Sequence, residues 1–381
     1  MGSEEVPAGP LSGIRVLDFS MFMAGPYCTR LMADAGAEVI KIEPPDGDYL
    51  RGANPMRGPH SGFFAHMSCG KKSVKLDLKS AAGKAAIRRL MPTIDVVLEN
   101  YRPGVMDRLE LGYEALSALQ PKLVFCSVSG YGQTGPDAKL PAYAPIIHAA
   151  SGMDLALIEF ERRLDRPIAN RSTAADILAA THAFGAICAA LVGRARTGKG
   201  ERIDVALMDT MHHMLAYEVQ AAQLENPPKP PVFEPIETRD GFIVVAPVSL
   251  LNFQSLARAI GRLEWLDDEG YATTQGRIRD WDHLMGEVAK WAAGRDADDC
   301  VALLTEAGCP CSRYRTVAES IHSPHVVERG SMIEMDQGAG SYLMPNSPFK
   351  FANADVRARP WVPTLGQHND EVLGDLGQAA E

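Results

Sequence analysis

The sequence of 381 residues has no excess of positive charge and no long apolar run. Its 38 lysines and arginines are outnumbered by 48 aspartates and glutamates, which gives a formal net charge of −10. This balance argues against nucleic acid as the main partner, although a local basic pocket for a phosphorylated small molecule is compatible with it. Because no run approaches the ~18–20 apolar residues that span a bilayer, we expect no membrane partner.

Cysteine is also scarce, and its pattern is not that of a disulfide framework or a metal site. The seven cysteines are scattered and odd in number, which predicts free thiols and a cytoplasmic location. Cys309 and Cys311 lack the two-residue spacing of a zinc motif, and the adjacent His212 and His213 would point about 100° apart on a helix. We therefore expect no metal. The acidic, polar start of the chain lacks the features of a signal peptide.

Strand and helix patterns alternate over the first 130 residues and again after residue 176. This alternation predicts an α/β fold with a parallel, Rossmann-like sheet and right-handed crossovers. The turn at 20–26 lacks the Gly-x-Gly-x-x-Gly fingerprint, so we expect no bound dinucleotide. The predicted strands are 14–19, 38–42, 95–99, 123–127 and 202–207. The predicted helices are 26–35, 81–91, 113–119, a long helix that starts at 172–173, has its buried body at 177–191 and ends near 196–200, and 208–224.

A proline-rich linker at 227–231 predicts a domain boundary, because four prolines in five residues form a stiff, extended spacer. The large α/β domain is then 1–225, completed by 331–381, and a smaller α+β domain occupies 226–330. A strand at 241–246 and helices at 252–260, 281–293 and 297–307 are predicted in the smaller domain. From residue 341 the chain is predicted to be loop-rich, with one short helix near its end.

Asp176 is the candidate nucleophile. Ser172 or Thr173 can cap a helix whose first turn contains this carboxylate, and the helix dipole favours its ionised form. Small neighbours leave it accessible to a substrate, and a partly desolvated carboxylate is a plausible nucleophile. The alternative, which this stretch alone favours, is an ordinary charge at a helix N-terminus.

Short segments in a fixed order follow the whole chain. They are VLDF at 16–19, AGP at 24–26, VIKIE at 39–43, KKSVKLD at 71–77, ENYRPG at 99–104, SGYG at 129–132, TGKG at 197–200, SPFKF at 347–351 and PTLG at 363–366. Together, from residue 11 to 377, they resemble the class III CoA-transferase family, which includes formyl-CoA transferase and carnitine CoA-transferase. The resemblance implies an interlocked, ring-like homodimer with no permanently bound cofactor, and with acyl-CoA and a small carboxylic acid as substrates.

In that family an aspartate at this helix start is the nucleophile, and Asp176 matches it. The resemblance implies a mixed anhydride and then an aspartyl-CoA thioester on this residue. It also implies that the residues at the family's CoA-binding positions bind the nucleotide here, with ordinary solvated charge as the alternative for Lys79 and Arg108. These positions hold Met23, Ala24, Leu76, Lys79, Asn100, Tyr101, Arg102 and Arg108.

The sequence departs from the family pattern near the expected acyl site. Met23 stands where formyl-CoA transferase has a glutamine. Ala144 stands where that enzyme has an acidic residue, and we expect the adjacent Tyr143 to bind substrate. The glycine-rich flap of formyl-CoA transferase has no counterpart. These differences argue against formyl-CoA and oxalate, and they favour a roomier or less polar acyl pocket.

Arg171 and Arg162 are candidates to bind the distal carboxylate of a dicarboxylic substrate, because guanidinium pairs with carboxylate in a bidentate manner. The alternative is a surface arginine. Succinyl-CoA is the donor that family habit and these arginines favour.

Two other functions compete with CoA transfer. α-Methylacyl-CoA racemase shares the family's fold, but its His-Asp pair is replaced by Tyr143 and Ala144, although Glu237 fits a glutamate of the racemase pattern. His148 lies too far along the chain to supply the missing base, and we interpret it as a packed or solvated residue. A non-catalytic CoA-binding protein would not need Asp176.

Overall fold

The computed structural model describes residues 8–160, 166–167, 170–228, 230–338 and 340–374. Internal contacts divide the chain into two compact units. The large unit comprises Met1–Gln220 and Val327–Glu381, and the small unit comprises Ala221–Val326. The helices α10, Ala216–Ala221, and α16, Pro324–Glu328, cross the two boundaries.

A six-stranded parallel sheet forms the centre of the large unit, in the order β5-β2-β1-β6-β7-β8. Neighbouring residues of a strand belong to different apolar clusters: Val96 packs in one and Val97 in the other. This alternation means that both faces of the sheet are covered, as in α/β proteins. The predicted parallel α/β fold is confirmed. The strands are β1 Arg15–Asp18, β2 Glu38–Glu43, β5 Lys72–Lys75, β6 Val96–Glu99, β7 Val124–Ser129 and β8 Glu201–Ala206.

Helices connect these strands. Those of the large unit are α1 Ala24–Asp34, α2 Gly62–Ser68, α3 Ala81–Leu90, α4 Val105–Arg108, α5 Tyr113–Leu119, α6 Ala144–Ala150, α7 Met153–Phe160, α8 Ala174–Thr197, α9 Leu207–Met214 and α17 Asn369–Leu373, with short 3-10 turns at Tyr49–Gly52 and Met91–Thr93. The single helix predicted at 208–224 is instead the pair α9 and α10, interrupted at Leu215.

Helix α1 begins two residues before the predicted start at Pro26. Met23 is its N-cap, and the carbonyl oxygen of Met23 accepts a 2.8 Å hydrogen bond from the N–H of Tyr27. Pro26 is therefore the third helical residue. Its missing N–H costs no hydrogen bond there, because the amides of a first turn have no partner within the helix.

The strand β5 was not predicted, because its sequence, Lys-Ser-Val-Lys, carries little apolar pattern. The prediction of loop from residue 341 is wrong for 341–345, whereas residues 346–368 contain no helix or strand and α17 is the short helix predicted near the end. The strands β12, Met332–Asp336, and β13, Ser341–Pro345, form an antiparallel hairpin. Its buried side chains pack on Ala65 and Cys69, so partners distant in sequence stabilise it. A second, short hairpin joins β3, Met56–Arg57, to β4, His60–Ser61.

The end of the described chain covers β5, which is an edge strand of the sheet. The side-chain amide of Asn369 accepts from the N–H of Lys75 at 2.8 Å and donates to the carbonyl oxygen of Lys75 at 3.1 Å. The N–H of His368 donates to the carbonyl oxygen of Ser73 at 2.9 Å. Polar groups of an exposed edge are thereby paired, which removes a template for association with other strands.

The small unit contains a three-stranded antiparallel sheet packed with helices, as expected for an α+β domain. The sheet order is β11-β10-β9, and residues such as Ile243, Leu256 and Val288 form its core. Its elements are β9 Ile236–Glu237, β10 Phe242–Val245, α11 Leu250–Ile260, a 3-10 turn Leu263–Leu266, α12 Thr274–Arg279, α13 Trp281–Ala292, α14 Ala297–Glu306, β11 Cys311–Arg313 and α15 Val317–Ile321.

Among the described residues, α8 is the one helix long and apolar enough, by length and composition, to cross a membrane. Over its most apolar 18 residues the mean hydropathy is 1.7, and 28% of this stretch is buried. We predicted that no apolar run is long enough to span a bilayer. That prediction is wrong for residues 174–197, which are rich in alanine and contain few charged residues. The helix packs on α1, α9 and the strands β7 and β8.

Candidate active site

The carboxyl ends of all six parallel strands lie at one edge of the sheet, and the order of the strands reverses between β1 and β6. Two loops meet at this reversal. The N–H of Met21 donates to Oδ1 of Asn100 at 2.9 Å, and Nδ2 of Asn100 donates to the carbonyl oxygen of Met21 at 2.7 Å. Open α/β sheets bind ligands in the crevice at such a switch point.

Most of the predicted CoA-binding residues follow strands that end at this edge. They are Met23 and Ala24 after β1, Leu76 and Lys79 after β5, and Asn100, Tyr101 and Arg102 after β6. Lys79 and Arg102 are exposed, as is Arg108 at the end of α4. Leu76 is a core residue, only 2% exposed, so its main chain is the part available to a ligand.

A buried carboxylate underlies the loop that carries Asn100. Glu99, the last residue of β6, accepts a 2.8 Å hydrogen bond from the N–H of Tyr101. Burial raises the pKa of Glu99 to about 7, although the Ser127 hydroxyl and the Tyr101 amide favour its ionised form. Burial likewise raises the pKa of Tyr101 to about 12. The chain thus bends away from the sheet around a carboxylate that titrates near neutrality.

The loop after β1 rests on a buried cluster of charges that the sequence did not reveal. Asp18 accepts hydrogen bonds from Thr29 Oγ1 at 2.6 Å and Lys71 Nζ at 3.1 Å, and also from the hydroxyl of Ser20. Burial alone would raise the pKa of Asp18, but Lys71 and Lys41 hold it below its usual value. Burial lowers the pKa of Lys71 to about 8. Charged residues on central parallel strands were the available signal, since such strands are normally apolar.

A third buried carboxylate, that of Glu43, fixes the loop after β2. Glu43 Oε2 accepts from the N–H of Asp48 at 3.0 Å and from Nε of Arg51 at 2.7 Å. Burial would raise the pKa of Glu43, but Arg51 and Lys41 lower it. The loops after β1 and β2 are therefore both held by hydrogen bonds to buried, ionised carboxylates, Asp18 and Glu43, at the ends of these strands.

Three aromatic rings, from loops that follow β1, β2 and β7, lie close together. The ring of Phe22 lies 5.7 Å from the rings of both Tyr49 and Tyr143. Tyr49 is 72% exposed and Tyr143 is 61% exposed, so these rings are open to a ligand. Phe22 has a φ of 62°, a strained conformation for a bulky residue. Tyr143 was predicted from the sequence, whereas Phe22 and Tyr49 were not.

Asp176 is the third residue of α8 and is partly buried. Because α8 connects β7 to the parallel strand β8, its N-terminus lies at the carboxyl edge of the sheet. Its neighbour Ala175 packs in the same apolar cluster as Ala24 and Ala144. Burial raises the pKa of Asp176 to about 6. The group is therefore largely ionised at neutral pH but poorly hydrated.

His148, on α6, is 1% exposed, as expected for a packed residue. Its Nε2 accepts a 3.2 Å hydrogen bond from the N–H of Ala175, the residue before Asp176. Arg171 is exposed, five residues before Asp176, and Arg162 lies outside the described residues. Within the described ranges, no three histidine, cysteine, aspartate or glutamate side chains form a group that could hold a metal ion.

The sequence matches the family described as CoA-transferase family III over residues 11–369. The chain belongs to this family, the class III CoA-transferases, and the family predicted from the sequence motifs is confirmed.

Named relatives cover nearly the whole chain. A succinyl-CoA–D-citramalate CoA-transferase of Chloroflexus aurantiacus is 35% identical over 391 residues, which cover 98% of this chain and 96% of that protein. A succinate–glutarate CoA-transferase of Agrobacterium fabrum is 30% identical, with 96% of each chain covered. The crystal structure of a CAIB/BAIF family protein from Brucella suis has a TM-score of 0.80 and 30% identity, over 97% of this chain and 100% of that one.

Proposed function

We propose that this enzyme transfers CoA from an acyl-CoA to a carboxylic acid, with Asp176 as the covalent carrier. The observation that supports this proposal is the state of the Asp176 carboxylate. Burial raises its pKa to about 6, and by the strand connectivity the N-terminus of α8 lies at the same end of the sheet as the loops after β1 and β6. A carboxylate that is ionised but poorly hydrated is a better nucleophile than one in water.

In the first half of the reaction, a carboxylate oxygen of Asp176 attacks the thioester carbon of the donor. The carbon–sulfur bond breaks, CoA leaves as its thiolate, and a mixed anhydride remains. The thiolate then attacks the carbonyl carbon of Asp176 and expels the donor's acid as a free carboxylate. Asp176 now carries CoA as a thioester, and no proton has been gained or lost.

In the second half, the carboxylate of the acceptor attacks the thioester carbon on Asp176 and displaces CoA thiolate. The thiolate then attacks the acceptor's carbonyl carbon in the new anhydride, which releases acyl-CoA and restores the Asp176 carboxylate. The positive end of the α8 dipole favours the oxyanions that develop beside this residue. Splitting one exchange into such steps preserves the activation energy of the thioester.

The loops at the strand ends offer the groups that CoA requires. Lys79, Arg102 and Arg108 are exposed cations suited to its phosphates. The main chain of the linked Met21 and Asn100 loops lines the crevice where the nucleotide end would lie. CoA binds here as a substrate, and it leaves with the product.

A dicarboxylic acid is the substrate class that we propose for the acyl site. Arg171 is exposed close to Asp176 in the chain, and a guanidinium binds carboxylate in a bidentate manner. The names of the Chloroflexus and Agrobacterium relatives contain succinyl, citramalate, succinate and glutarate. Met23 and Ala144 offer no side-chain hydrogen bond to a small polar acyl group such as formyl or oxalyl.

The functional assembly that we propose is a homodimer. Apolar side chains remain exposed on the large unit, among them Leu155 on α7, Val192 on α8 and Met214 on α9. Contiguous exposed apolar surface often marks a contact between subunits. Light scattering with size-exclusion chromatography would give about 82 kDa for a dimer of this 41.2 kDa chain, against 41.2 kDa for a monomer that would overturn this proposal.

Trapping of the acyl intermediate tests the role of Asp176. After incubation with succinyl-CoA and hydroxylamine, peptide mass spectrometry should find a hydroxamate on Asp176 in the wild type and none in Asp176→Asn. Asp299→Asn is the matched control, because Asp299 is an exposed third residue of α14. Transfer activity that survives Asp176→Asn would refute the mechanism. Deuterium uptake at the α-carbon of a 2-methylacyl-CoA, without transfer, would instead indicate a racemase.

A further inference from the structure

The first turn of α8 is capped by groups outside the helix. Its N-cap residue, Thr173, makes no side-chain capping hydrogen bond. Instead, the N–H of Ala174 donates to Oγ of Ser172 at 3.2 Å, and the N–H of Ala175 donates to Nε2 of His148 at 3.2 Å. An imidazole from α6 thus performs the task that a serine or aspartate side chain usually performs at a helix start.

This hydrogen bond fixes the protonation state of His148. Because Nε2 accepts, the imidazole is neutral and its proton is on Nδ1. Burial lowers the pKa of His148, and Asp154 opposes this shift. A positive charge here would also be unfavourable at the positive end of the α8 dipole. The helices packed against α6 carry these ionisable groups in their described parts: Asp154 on α7, Asp176, His182, Cys188, Arg194 and Arg196 on α8, and Asp209, His212 and His213 on α9.

We propose that His148 is a positioning residue, which through the N–H of Ala175 fixes the first turn of α8 and the carboxylate of Asp176. This inference rests on the proposed role of Asp176 as the nucleophile. Ala175 is fully buried in the apolar cluster that also contains Ala24 and Ala144, and it directly precedes Asp176, so anchoring its amide restrains the carboxylate beside it. Without an acceptor at Nε2, the turn would fray and admit water to the carboxylate.

Three variants test this role. His148→Leu removes the acceptor, His148→Gln supplies an amide oxygen that can accept, and His182→Leu is the control. His182 is an exposed histidine of α8 whose Nδ1 lies 2.8 Å from the carbonyl oxygen of Leu178 in the same helix, and whose ring lies 6.1 Å from that of His213. Hydrogen exchange of the peptide that contains residues 172–178 reports directly on the first turn.

Loss of a helix cap corresponds to about a fivefold to tenfold change in the equilibrium constant for forming the helical turn. His148→Leu should therefore lower kcat by about that factor, with little change in KM. The acidic limb of its pH–rate profile should move from about 6 toward the ordinary aspartate value of 3.8, since hydration removes the cause of the shift. Exchange at 172–178 should rise. His148→Gln should restore all three properties, and His182→Leu should resemble the wild type.

An unchanged acidic limb and unchanged exchange in His148→Leu, while Asp176→Asn is inactive, would overturn the positioning role alone. Full activity of Asp176→Asn would instead overturn the proposed function. Should the leucine variant fail to fold, His148→Asn takes its place, because its shorter side chain does not span the distance to the amide. A glutamine variant no better than asparagine would then refute the role of the acceptor.

Discussion

The ammonium group of Lys41 donates a 2.7 Å hydrogen bond to the carbonyl oxygen of Ser20, and both residues are fully buried. The same ammonium lies 2.8 Å from Asp48. Burial alone would lower the pKa of Lys41, but Asp48, Asp18 and Glu43 raise it. The sheet therefore keeps a cation directly beneath the loop that leads to Met23. The ammonium group helps to hold this loop, because an apolar side chain at position 41 would leave the Ser20 carbonyl without this donor.

Lys41→Met is expected to destabilise the enzyme by about 3–5 kcal/mol, because it leaves Asp48 buried without its cation. Denaturant unfolding measures this loss. CoA affinity should fall with it, since the loop at Met23 loses its anchor. The control is Lys72→Met on the neighbouring strand, whose partly exposed ammonium pairs with Glu38. That variant should lose only about 0–1 kcal/mol, and an equal loss in both variants would contradict the importance of burial.

Asn100→Ala removes both hydrogen bonds that join the loops after β1 and β6. We expect KM for acyl-CoA to rise by up to about thirtyfold, since two hydrogen bonds of about 1 kcal/mol each position the crevice. The turnover number should change little, because Asp176 is on another element. Asn252→Ala, which removes a capping box in the small unit, is the control. An unchanged KM would show that the bridge is not needed for CoA binding.

Asp176→Asn should make the protein more stable at pH 8. The folded-state pKa, about 6, is above the ordinary value of 3.8, so folding favours the protonated carboxyl. Wild-type stability from this group is fully present below pH 3.8 and is lost as the pH rises through 6. Thermal unfolding at pH 8 should therefore favour the variant by up to about 3 kcal/mol. The difference should shrink toward pH 4, and no gain at pH 8 would contradict the burial of the charge.

Arg171→Ala should raise KM for a dicarboxylic acceptor such as succinate by about tenfold or more, and KM for a monocarboxylic acceptor by much less. The reason is the loss of a bidentate partner for the distal carboxylate. Initial rates with paired acceptors measure the difference. Arg196→Ala, an exposed arginine in the last turn of α8, is the control. Equal changes for both acceptors would exclude this role for Arg171.

Local pattern predicted the core of the fold well. Strands β6 and β7 each begin with a run of three apolar residues, 96–98 and 124–126, and α5 begins and ends at the predicted residues because a glycine precedes it and the pattern stops. The hairpin of β12 and β13 was missed for a physical reason. Its core partners are Ala65 and Cys69, hundreds of positions away in the chain, and no local pattern encodes such contacts.

Some residues of the candidate site were predictable from the sequence, and others were not. Family motifs supplied Asp176 and the loop at Asn100. They could not supply Phe22 or Tyr49, whose approach to Tyr143 depends on the bends of two separate loops. The link between His148 and Ala175 was also hidden, because a histidine in an apolar helix looks like any packed residue until the amide that faces it is known.

The pairing of strand β5 with His368 and Asn369 has a consequence for biosynthesis. The N–H of Ser73 donates to Nδ1 of His368, 295 positions later in the chain. At about 5–20 residues per second, a ribosome needs about 15–60 seconds to make that stretch. The sheet edge is therefore open throughout most of translation. The small unit, Ala221–Val326, is one uninterrupted stretch and can fold while the large unit still awaits the segment that closes it.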